Sequence, residues 1–258
     1  MTNLEILKSH LIGTPFESLA KRIRWAMEAP RRLKHPELME IYLEDDRLEQ
    51  VIRRSVSESS NCIDIGCHLG SMLNLLVTLA PRGRHMAFEP IPWKAERLAK
   101  KFPTVDVRRV ALSDSSGEAT FHVSVGKSGF SGLRAHHNGS SRMDEIKTPC
   151  ERLDQIIPAN HKIDFIKVDV EGAELMVFRG ARELLQRDRP TLIFESTKSA
   201  LTIYGLSTRD LFDHLVQENG YKIFSPLGFL ESGPSLTYEQ YNQAHQFPFK
   251  AFNFVAVP

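Results

Sequence analysis

Residues 61–70 read NCIDIGCHLG, a short apolar run that carries an acid and is followed by two glycines four residues apart. The segment Cys62–Ile65 has the length and composition of a buried β-strand. Gly66 and Gly70 let the backbone turn sharply and come close to a ligand, because glycine has no side chain. The apolar segment Ser71–Leu79 then predicts a helix whose first turn would favour a carboxylate or phosphate. This stretch therefore predicts a strand, a ligand-binding loop and a helix.

Strands and helices alternate along the rest of the chain. Seven strands are predicted, at Cys62–Ile65, His85–Phe88, Val105–Ala111, Ile163–Val168, Thr191–Phe194, Tyr221–Phe224 and Phe252–Val257. Helices are predicted at Ser71–Leu79, Trp93–Lys101, Ala173–Gln186 and Thr208–Glu218. This alternation predicts an α/β fold with a seven-stranded, mostly parallel sheet and helices on both faces. A hairpin near Ala119–Val125 would interrupt the alternation.

The first 59 residues have a different pattern, with helical spacing of apolar residues and many charges. Three prolines divide this region into short helices: Pro15, Pro30 and Pro36. We predict a helical N-terminal extension over residues 1–59 and a main domain over residues 60–258. The basic run within residues 21–34 leaves two interpretations open. The commoner one is a solvated helix face, and the other is a surface that faces anionic lipid or a lipid-linked glycan.

Composition narrows the classes of function. The 33 basic and 32 acidic residues give a net charge of +1, which offers no electrostatic case for a nucleic-acid partner. The three cysteines form no CxxC pair, so we expect reduced thiols and no zinc site. The N-terminus lacks the pattern of a signal peptide, and no apolar run approaches the length of a membrane span. We therefore expect a cytoplasmic protein without a transmembrane segment.

Three acids, Asp64, Glu89 and Asp169, stand at the carboxyl ends of predicted strands, where ligands bind on parallel sheets. Glu89 follows Asp64 by 25 residues, a distance at which a carboxylate can accept both hydroxyls of a ribose. The loop reads D-x-G-x-x-x-G, which differs from the G-x-G-x-x-G of dinucleotide sites. An acid-first loop with two glycines is typical of class I S-adenosylmethionine (SAM) methyltransferases.

The segment Ile166–Glu174 reads IKVDVEGAE, and AFEP, VALSDSSGEATF and IFE occur elsewhere in the chain. With these motifs, residues 60–257 resemble the FkbM family of SAM-dependent methyltransferases. The resemblance implies the class I methyltransferase fold and methyl transfer to hydroxyls of sugars and natural products. It also implies cofactor-binding roles for eight residues: Asp64, Gly66, His68, Gly70, Glu89, Ser113, Asp114 and Asp169. The family usually has an asparagine where this chain has His68.

In that assignment, the first loop holds the methionine half of SAM and Glu89 holds the ribose. Ser113 and Asp114 lie at the adenine edge, and Asp169 lies beside the sulfonium and the incoming hydroxyl. The proton of the hydroxyl would pass to Asp169, to Glu195 or to His136. The last of these belongs to an irregular segment, residues 129–141, that could cover the substrate.

Two further groups have more than one interpretation. Lys167 is either an ion-pair partner of Glu195 or a catalytic group, since buried charges are usually paired. Glu171, close to Asp169 in sequence, is a further candidate for the site. Asp169 and Glu195 together could form a platform for a divalent metal, but the sequence establishes none and we assign no metal ligand.

The predicted function is therefore SAM-dependent methyl transfer to a hydroxyl of a sugar, glycan or natural product. Two alternatives remain at this stage. One is a non-catalytic SAM-binding module. The other is an NAD-dependent dehydrogenase, which the missing third glycine and the acid-first loop disfavour.

Overall fold

A computed structural model describes residue 5 and residues 9–126, 128–135 and 142–258, in which ten strands form two sheets. The strands are β1 (Cys62–Ile65), β2 (Met86–Phe88), β3 (Asp106–Arg108), β4 (Ala111–Leu112), β5 (Gly117–Ser124), β6 (Met143–Glu151), β7 (Phe165–Val168), β8 (Thr191–Glu195), β9 (Lys222–Phe224) and β10 (Asn253–Val257).

Helices occur in the N-terminal region and between the strands. Those with described bounds are α1 (Pro15–Met27), α2 (Ala29–Lys34), α3 (Met39–Tyr42), α4 (Glu44–Ser55), α5 (Ser71–Leu79), α6 (Pro92–Lys101), α7 (Leu153–Ile156), α8 (Glu174–Arg179), α9 (Arg182–Asp188), α10 (Lys198–Ile203), α11 (Thr208–Asp213), α12 (Pro226–Leu230) and α13 (Tyr238–Ala244). Short 3₁₀ turns cover Pro36–Leu38 and Ser128–Phe130, and a π-helical turn covers His214–Glu218.

The main sheet has seven strands in the order β3-β2-β1-β7-β8-β10-β9. Its strands run parallel except for β10, which pairs antiparallel with both β8 and β9. The predicted fold class is confirmed. The strand order reverses between β1 and β7, so the carboxyl ends of these two strands flank the crevice where such sheets bind ligands.

Helices cover both faces of this sheet, and the strands are buried on both sides. In β1, Ile63 and Ile65 belong to the largest apolar cluster, whereas Cys62 belongs to a second cluster on the opposite face. In β7, Ile166 belongs to the largest cluster and Phe165 to the second. This explains why the strands read as continuous apolar runs rather than as an alternation of apolar and polar residues.

The second sheet was not predicted. It has the order β4-β6-β5, and its longest pairing joins β5 to β6 in antiparallel register. The sequence indicated only a hairpin near Ala119–Val125. The actual partner, Met143–Glu151, reads MDEIKTPCE and is largely solvent-accessible, so it lacks the apolar pattern from which strands are predicted.

The helix predicted over Ala173–Gln186 is also different, because it is divided into α8 and α9. The break lies at Gly180, which packs so closely on the Ser113 carbonyl that an added Cβ would clash with it. A glycine in a helical pattern is compatible with either a continuous or a broken helix. The close contact with Ser113 is a tertiary feature that the local sequence does not show.

The N-terminal region contains two kinds of helix. Helix α4 packs Leu48, Val51 and Ile52 into the apolar cluster that contains Cys62. Helix α1, in contrast, has no buried residue. Among the helices of the described residues, none combines the length and the apolar character that crossing a bilayer requires.

Candidate active site

A cavity of about 270 Å³ lies at the carboxyl edge of the main sheet. Its volume is near the lower end of the about 300–1,000 Å³ range of ligand pockets. The walls come from the loops after β1, β2 and β7, from the last residue of β8 and from the second sheet. They include Gly66, His68, Glu89, Lys94, Phe121, Leu133, Asp169, Glu171 and Glu195.

The loop after β1 forms one wall with its backbone. Gly66 has φ = +76°, and an added Cβ would clash with the carbonyl oxygen of Asp169, so this position requires glycine. His68 also has a positive φ, +52°. Asparagine and histidine both occur in this region more often than most residues, which explains why histidine can replace the usual asparagine. Burial lowers the pKa of His68 to about 4, so its ring is neutral at pH 7.

Glu89 is a buried carboxylate whose position is fixed by two backbone amides. The His68 amide donates to its Oε2 and the Ile91 amide to its Oε1, both at 3.0 Å. Burial raises the pKa of Glu89, and the nearby Lys94 ammonium and these amides oppose that rise. Each carboxylate oxygen has a second lone pair, so the group can still accept hydrogen bonds from a ligand.

Asp64 lies behind the first loop, where it is fully buried. It pairs in register with Lys167 of β7, and Lys167 Nζ lies 3.5 Å from Asp64 Oδ1. The same ammonium lies 3.1 Å from Asp169 Oδ2 and donates to the Gly66 carbonyl at 3.1 Å. The alternative that paired Lys167 with Glu195 is therefore wrong, because its ion pairs are with the two aspartates.

Three other predicted cofactor residues lie outside the cavity wall. Gly70 faces Leu98 and Phe102 of α6. Ser113 is buried and hydrogen-bonds the adjacent Asp114 at 3.3 Å, and the wall near them is formed by the preceding residues 110–112. Of the eight predicted cofactor residues, four line the cavity: Gly66, His68, Glu89 and Asp169. Their roles stay predictions.

The loop after β7 is held by Glu174. Its Oε1 accepts hydrogen bonds from the amides of Val170 and Gly172, each at 3.1 Å. Gly172 has φ = +99° and packs on Ala200, whose carbonyl oxygen would lie 2.5 Å from an added Cβ. Glu171 has φ = +57° and lines the cavity. The IKVDVEGAE motif thus has a physical basis, since its last acid holds the turn and its middle acid reaches the cavity.

Asp169, Glu171 and Glu195 form a cluster of carboxyl groups in the cavity. Each contributes an oxygen that lies within 4.8 Å of the others. Burial and the neighbouring carboxylates of Asp169 and Glu174 raise the pKa of Glu171 to about 9. Burial, followed by Asp169, raises the pKa of Glu195 well above its ordinary value. Such a cluster can hold protons at neutral pH, accept one from a substrate, or stabilise a cation.

The segment predicted to cover the substrate contributes Gly129, Ser131 and Leu133 to the cavity wall. The third predicted base, His136, lies outside the described residues. Its role therefore stays a prediction from the sequence alone.

Sequence reasoning missed Lys94, a buried residue in the first turn of α6 that lines the cavity. Burial lowers its pKa, and the nearby Glu89 carboxylate opposes that shift. Lysines on an amphipathic helix are usually exposed, so the helical pattern alone does not distinguish this one. Its position five residues after Glu89 was the available signal.

Comparisons with known proteins agree with these motifs. The chain is 34% identical to the 2-O-methyltransferase NoeI of Sinorhizobium fredii, over 49% of this chain and 59% of that protein. It is 28% identical to the AMB antimetabolite synthetase AmbE of Pseudomonas aeruginosa, over 46% of this chain and 7% of that protein. The chain thus spans less than two thirds of the length of either relative.

A crystal structure of methyltransferase FkbM from Methylobacillus flagellatus aligns with 79% of this chain and 44% of that one, at 17% identity and a TM-score of 0.49. Residues 64–223 match the model of the methyltransferase FkbM domain, and this span is more than half of the chain. The resemblance of the sequence motifs is thereby confirmed, and the chain belongs to the FkbM family of methyltransferases.

Proposed function

We propose that this methyltransferase binds SAM in the cavity and transfers its methyl group to a hydroxyl of a sugar, glycan or natural product. The observation that carries the proposal is the buried Glu89 carboxylate, which two amides fix at the wall of a cavity in a methyltransferase fold. A carboxylate in this place suits the two hydroxyls of a ribose.

The chemistry of the other walls also fits SAM. Ile91, Leu112 and Phe121 provide an apolar surface for the adenine ring. On the opposite side, the carboxyl cluster suits the ammonium and the positively charged sulfonium. Burial, and after it the neighbouring carboxylates, raises the pKa values of Glu171 and Glu195, and a nearby cation would favour their ionised forms.

Bound SAM would supply a methyl group that its positive sulfonium already activates. The chain must therefore position the acceptor hydroxyl and remove its proton. We assign proton removal to the Asp169–Glu195 pair, because both carboxyl groups line the cavity and burial raises the pKa of Glu195, which makes it a stronger base. Lys167 would position Asp169 through their 3.1 Å ion pair. His136 stays an alternative base.

The acceptor is proposed from chemistry and from one relative. NoeI is named a 2-O-methyltransferase, which favours an oxygen acceptor for this chain as well. We also propose that residues 60–258 carry the reaction and that residues 1–59 form an N-terminal extension. The three clustered carboxylates could also hold a divalent cation, and comparing activity in Mg²⁺ and in chelator tests whether the reaction needs one.

The first test is calorimetric titration of the protein with SAM, S-adenosylhomocysteine (SAH) and NAD. We expect SAM and SAH to bind and NAD to give no heat. Glu89→Ala should abolish SAM binding, whereas Glu96→Ala, which removes an exposed carboxylate from the same region, should leave it unchanged. Binding of NAD without SAM would overturn the proposal in favour of a dehydrogenase.

Activity is tested next with labelled SAM and a panel of hydroxylated sugars and natural products, in Mg²⁺ and in chelator. Transfer in both conditions would support the scheme without a metal. Transfer only in Mg²⁺ would identify the carboxyl cluster as a metal platform. SAM binding without transfer to any acceptor would favour the alternative of a non-catalytic SAM-binding module.

A further inference from the structure

Helix α1 presents an apolar stripe to solvent. Phe16, Leu19, Ile23 and Met27 follow one another at intervals of three and four residues, which places them on one face. They are 64%, 50%, 52% and 76% exposed, respectively. Single exposed apolar residues are common in proteins, whereas a contiguous stripe of four is typical of an interaction surface.

The same region concentrates positive charge. Residues 15–34 contain six basic and two acidic side chains, a net charge of +4, whereas the whole chain has a net charge of +1. Arg22 and Arg24 project on either side of the apolar stripe by helical position. The next helix, α2, adds the exposed residues Arg31, Leu33 and Lys34. Apolar and basic groups therefore occupy one continuous surface.

Among the described residues, the contacts of α1 with the rest of the protein leave this stripe open. Lys21, on the opposite face of α1, forms an ion pair of 3.6 Å with Glu49 of α4. The apolar face of α1 is therefore turned away from α4, in agreement with its exposure. The sequence had left open whether this basic run is only a solvated helix face. The exposed apolar stripe between the arginines favours the second interpretation, a surface that faces anionic lipid.

We propose that α1 and α2 bind the surface of a membrane that contains anionic lipid. A basic amphipathic helix of this kind lies in the plane of the interface, with its apolar side chains among the acyl chains and its basic groups near the phosphates. Charge complementarity selects this partner over a second copy of the chain. Pairing two copies through this face would bring together two segments that each carry a net charge of +4.

Such binding would also hold the cavity close to the membrane. The segment before α1 packs on α6, where Lys101 Nζ donates to the carbonyls of Ser9 at 3.0 Å and Ile12 at 2.6 Å. The first turn of α6 contributes Lys94 to the cavity wall. An acceptor attached to a lipid would then be presented near the site. The membrane proposal itself does not depend on which acceptor or cofactor the cavity takes.

The test is flotation of the full chain with vesicles of phosphatidylcholine alone and of phosphatidylcholine with phosphatidylserine. We expect at least about tenfold stronger partitioning onto the anionic vesicles, weakened by salt, because screening shortens the reach of the basic groups. Two double variants test the two components of the surface. They are Leu19→Glu with Ile23→Glu, and Arg22→Glu with Arg31→Glu.

A matched control, Lys222→Glu with Lys250→Glu, changes the net charge as much as the arginine variant does, at exposed positions elsewhere. Both α1–α2 variants should lose about tenfold in partitioning, and the control should bind as the unmodified chain does. Because all these positions are exposed, circular dichroism and the unfolding midpoint should not change. An equal loss in the control would overturn the proposal, as would full binding by Leu19→Glu with Ile23→Glu. Absence of vesicle binding, with a dimer in sedimentation velocity that this variant abolishes, would assign the face to a second copy.

Discussion

The loops after β1 and β7 are built alike, but one buries its aspartate and the other exposes it. Each has an aspartate near the strand end, a glycine with positive φ and a helix that follows. Asp64 of the first loop is fully buried behind the wall, whereas the side chain of Asp169 in the second is 38% exposed and lines the cavity. The first loop lines the cavity with Gly66 and His68 and without its acid, whereas the second lines it with carboxyl groups.

The difference arises from the position of each aspartate relative to its strand. Asp64 is the third residue of β1, so its side chain alternates with Ile63 and Ile65 and enters the sheet–helix interior. Asp169 is one residue beyond β7 and is therefore free of that alternation. Lys167 lies between the two and forms an ion pair with each. Similar motifs can thus produce one structural acid and one acid available to a ligand.

Removing the two aspartates in turn tests whether burial distinguishes the two loops. Asp64→Ala should lower the free energy of unfolding by about 3 kcal/mol, because it removes one of the two carboxylates that pair with the buried Lys167 ammonium. Asp169→Ala removes a more exposed carboxylate and should cost less than about 1 kcal/mol. Urea denaturation of both variants measures the difference. Equal losses would show that the two loops are not distinguished by burial.

A second test concerns turnover. Glu195→Gln should lower kcat about 10²-fold while changing the Kd for SAM less than about threefold, since a base acts mainly in the transition state. Rapid-quench assays with an acceptor from the hydroxyl panel, together with calorimetry, separate the two effects. The control is Glu183→Gln, which changes an exposed acid on α9. Loss of SAM affinity with unchanged kcat would place Glu195 in cofactor binding instead.

Much of the framework could be predicted from the sequence. The buried strands of a parallel sheet are continuous apolar runs, and the acids at their carboxyl ends are conspicuous against them. Glu89, Asp169 and Glu195 were selected in this way, and all three line the cavity. The boundary at residue 60 stays a prediction, and the packing of α4 on the main sheet joins the two regions across it.

What could not be predicted depends on register and on tertiary contacts. Register places Lys167 beside Asp64, whereas the sequence alone allowed Glu195 as its partner. Asp64, Gly70, Ser113 and Asp114 lie outside the cavity wall. The alternation of β1 turns Asp64 into the interior, and Gly70 faces Leu98 and Phe102, so tertiary packing rather than proximity in sequence decides which residues line the cavity. Lys94 is buried only because α6 packs over Glu89. None of these facts is encoded in local patterns.

A milder change at Glu89 tests the loop after β2, whose carboxylate accepts a hydrogen bond from the His68 amide of the first loop. Glu89→Gln keeps the size of the side chain but replaces one acceptor oxygen by an NH2 donor, which can accept neither a backbone amide nor a ribose hydroxyl. SAM should therefore bind at least about tenfold more weakly, a loss of about 1.4 kcal/mol. Calorimetry with SAM measures the loss, and Glu96→Gln is the matched control. Unchanged SAM affinity in Glu89→Gln would show that this carboxylate does not hold the ribose.

Binding of SAM should release a proton from Glu171 in the second loop, with a small effect on affinity. Glu171 has a pKa of about 9, so it is mostly protonated at pH 7, and a nearby sulfonium favours its ionised form. SAM binding should therefore release protons, and its affinity should rise severalfold relative to that of SAH as the pH increases from about 7 to about 9. SAM and SAH share the same α-amino group, so the ratio of their affinities removes its titration. Calorimetry across this range measures the ratio, and Glu171→Gln should make it independent of pH. A ratio that falls as the pH rises would mean that the carboxyl cluster does not face the sulfonium.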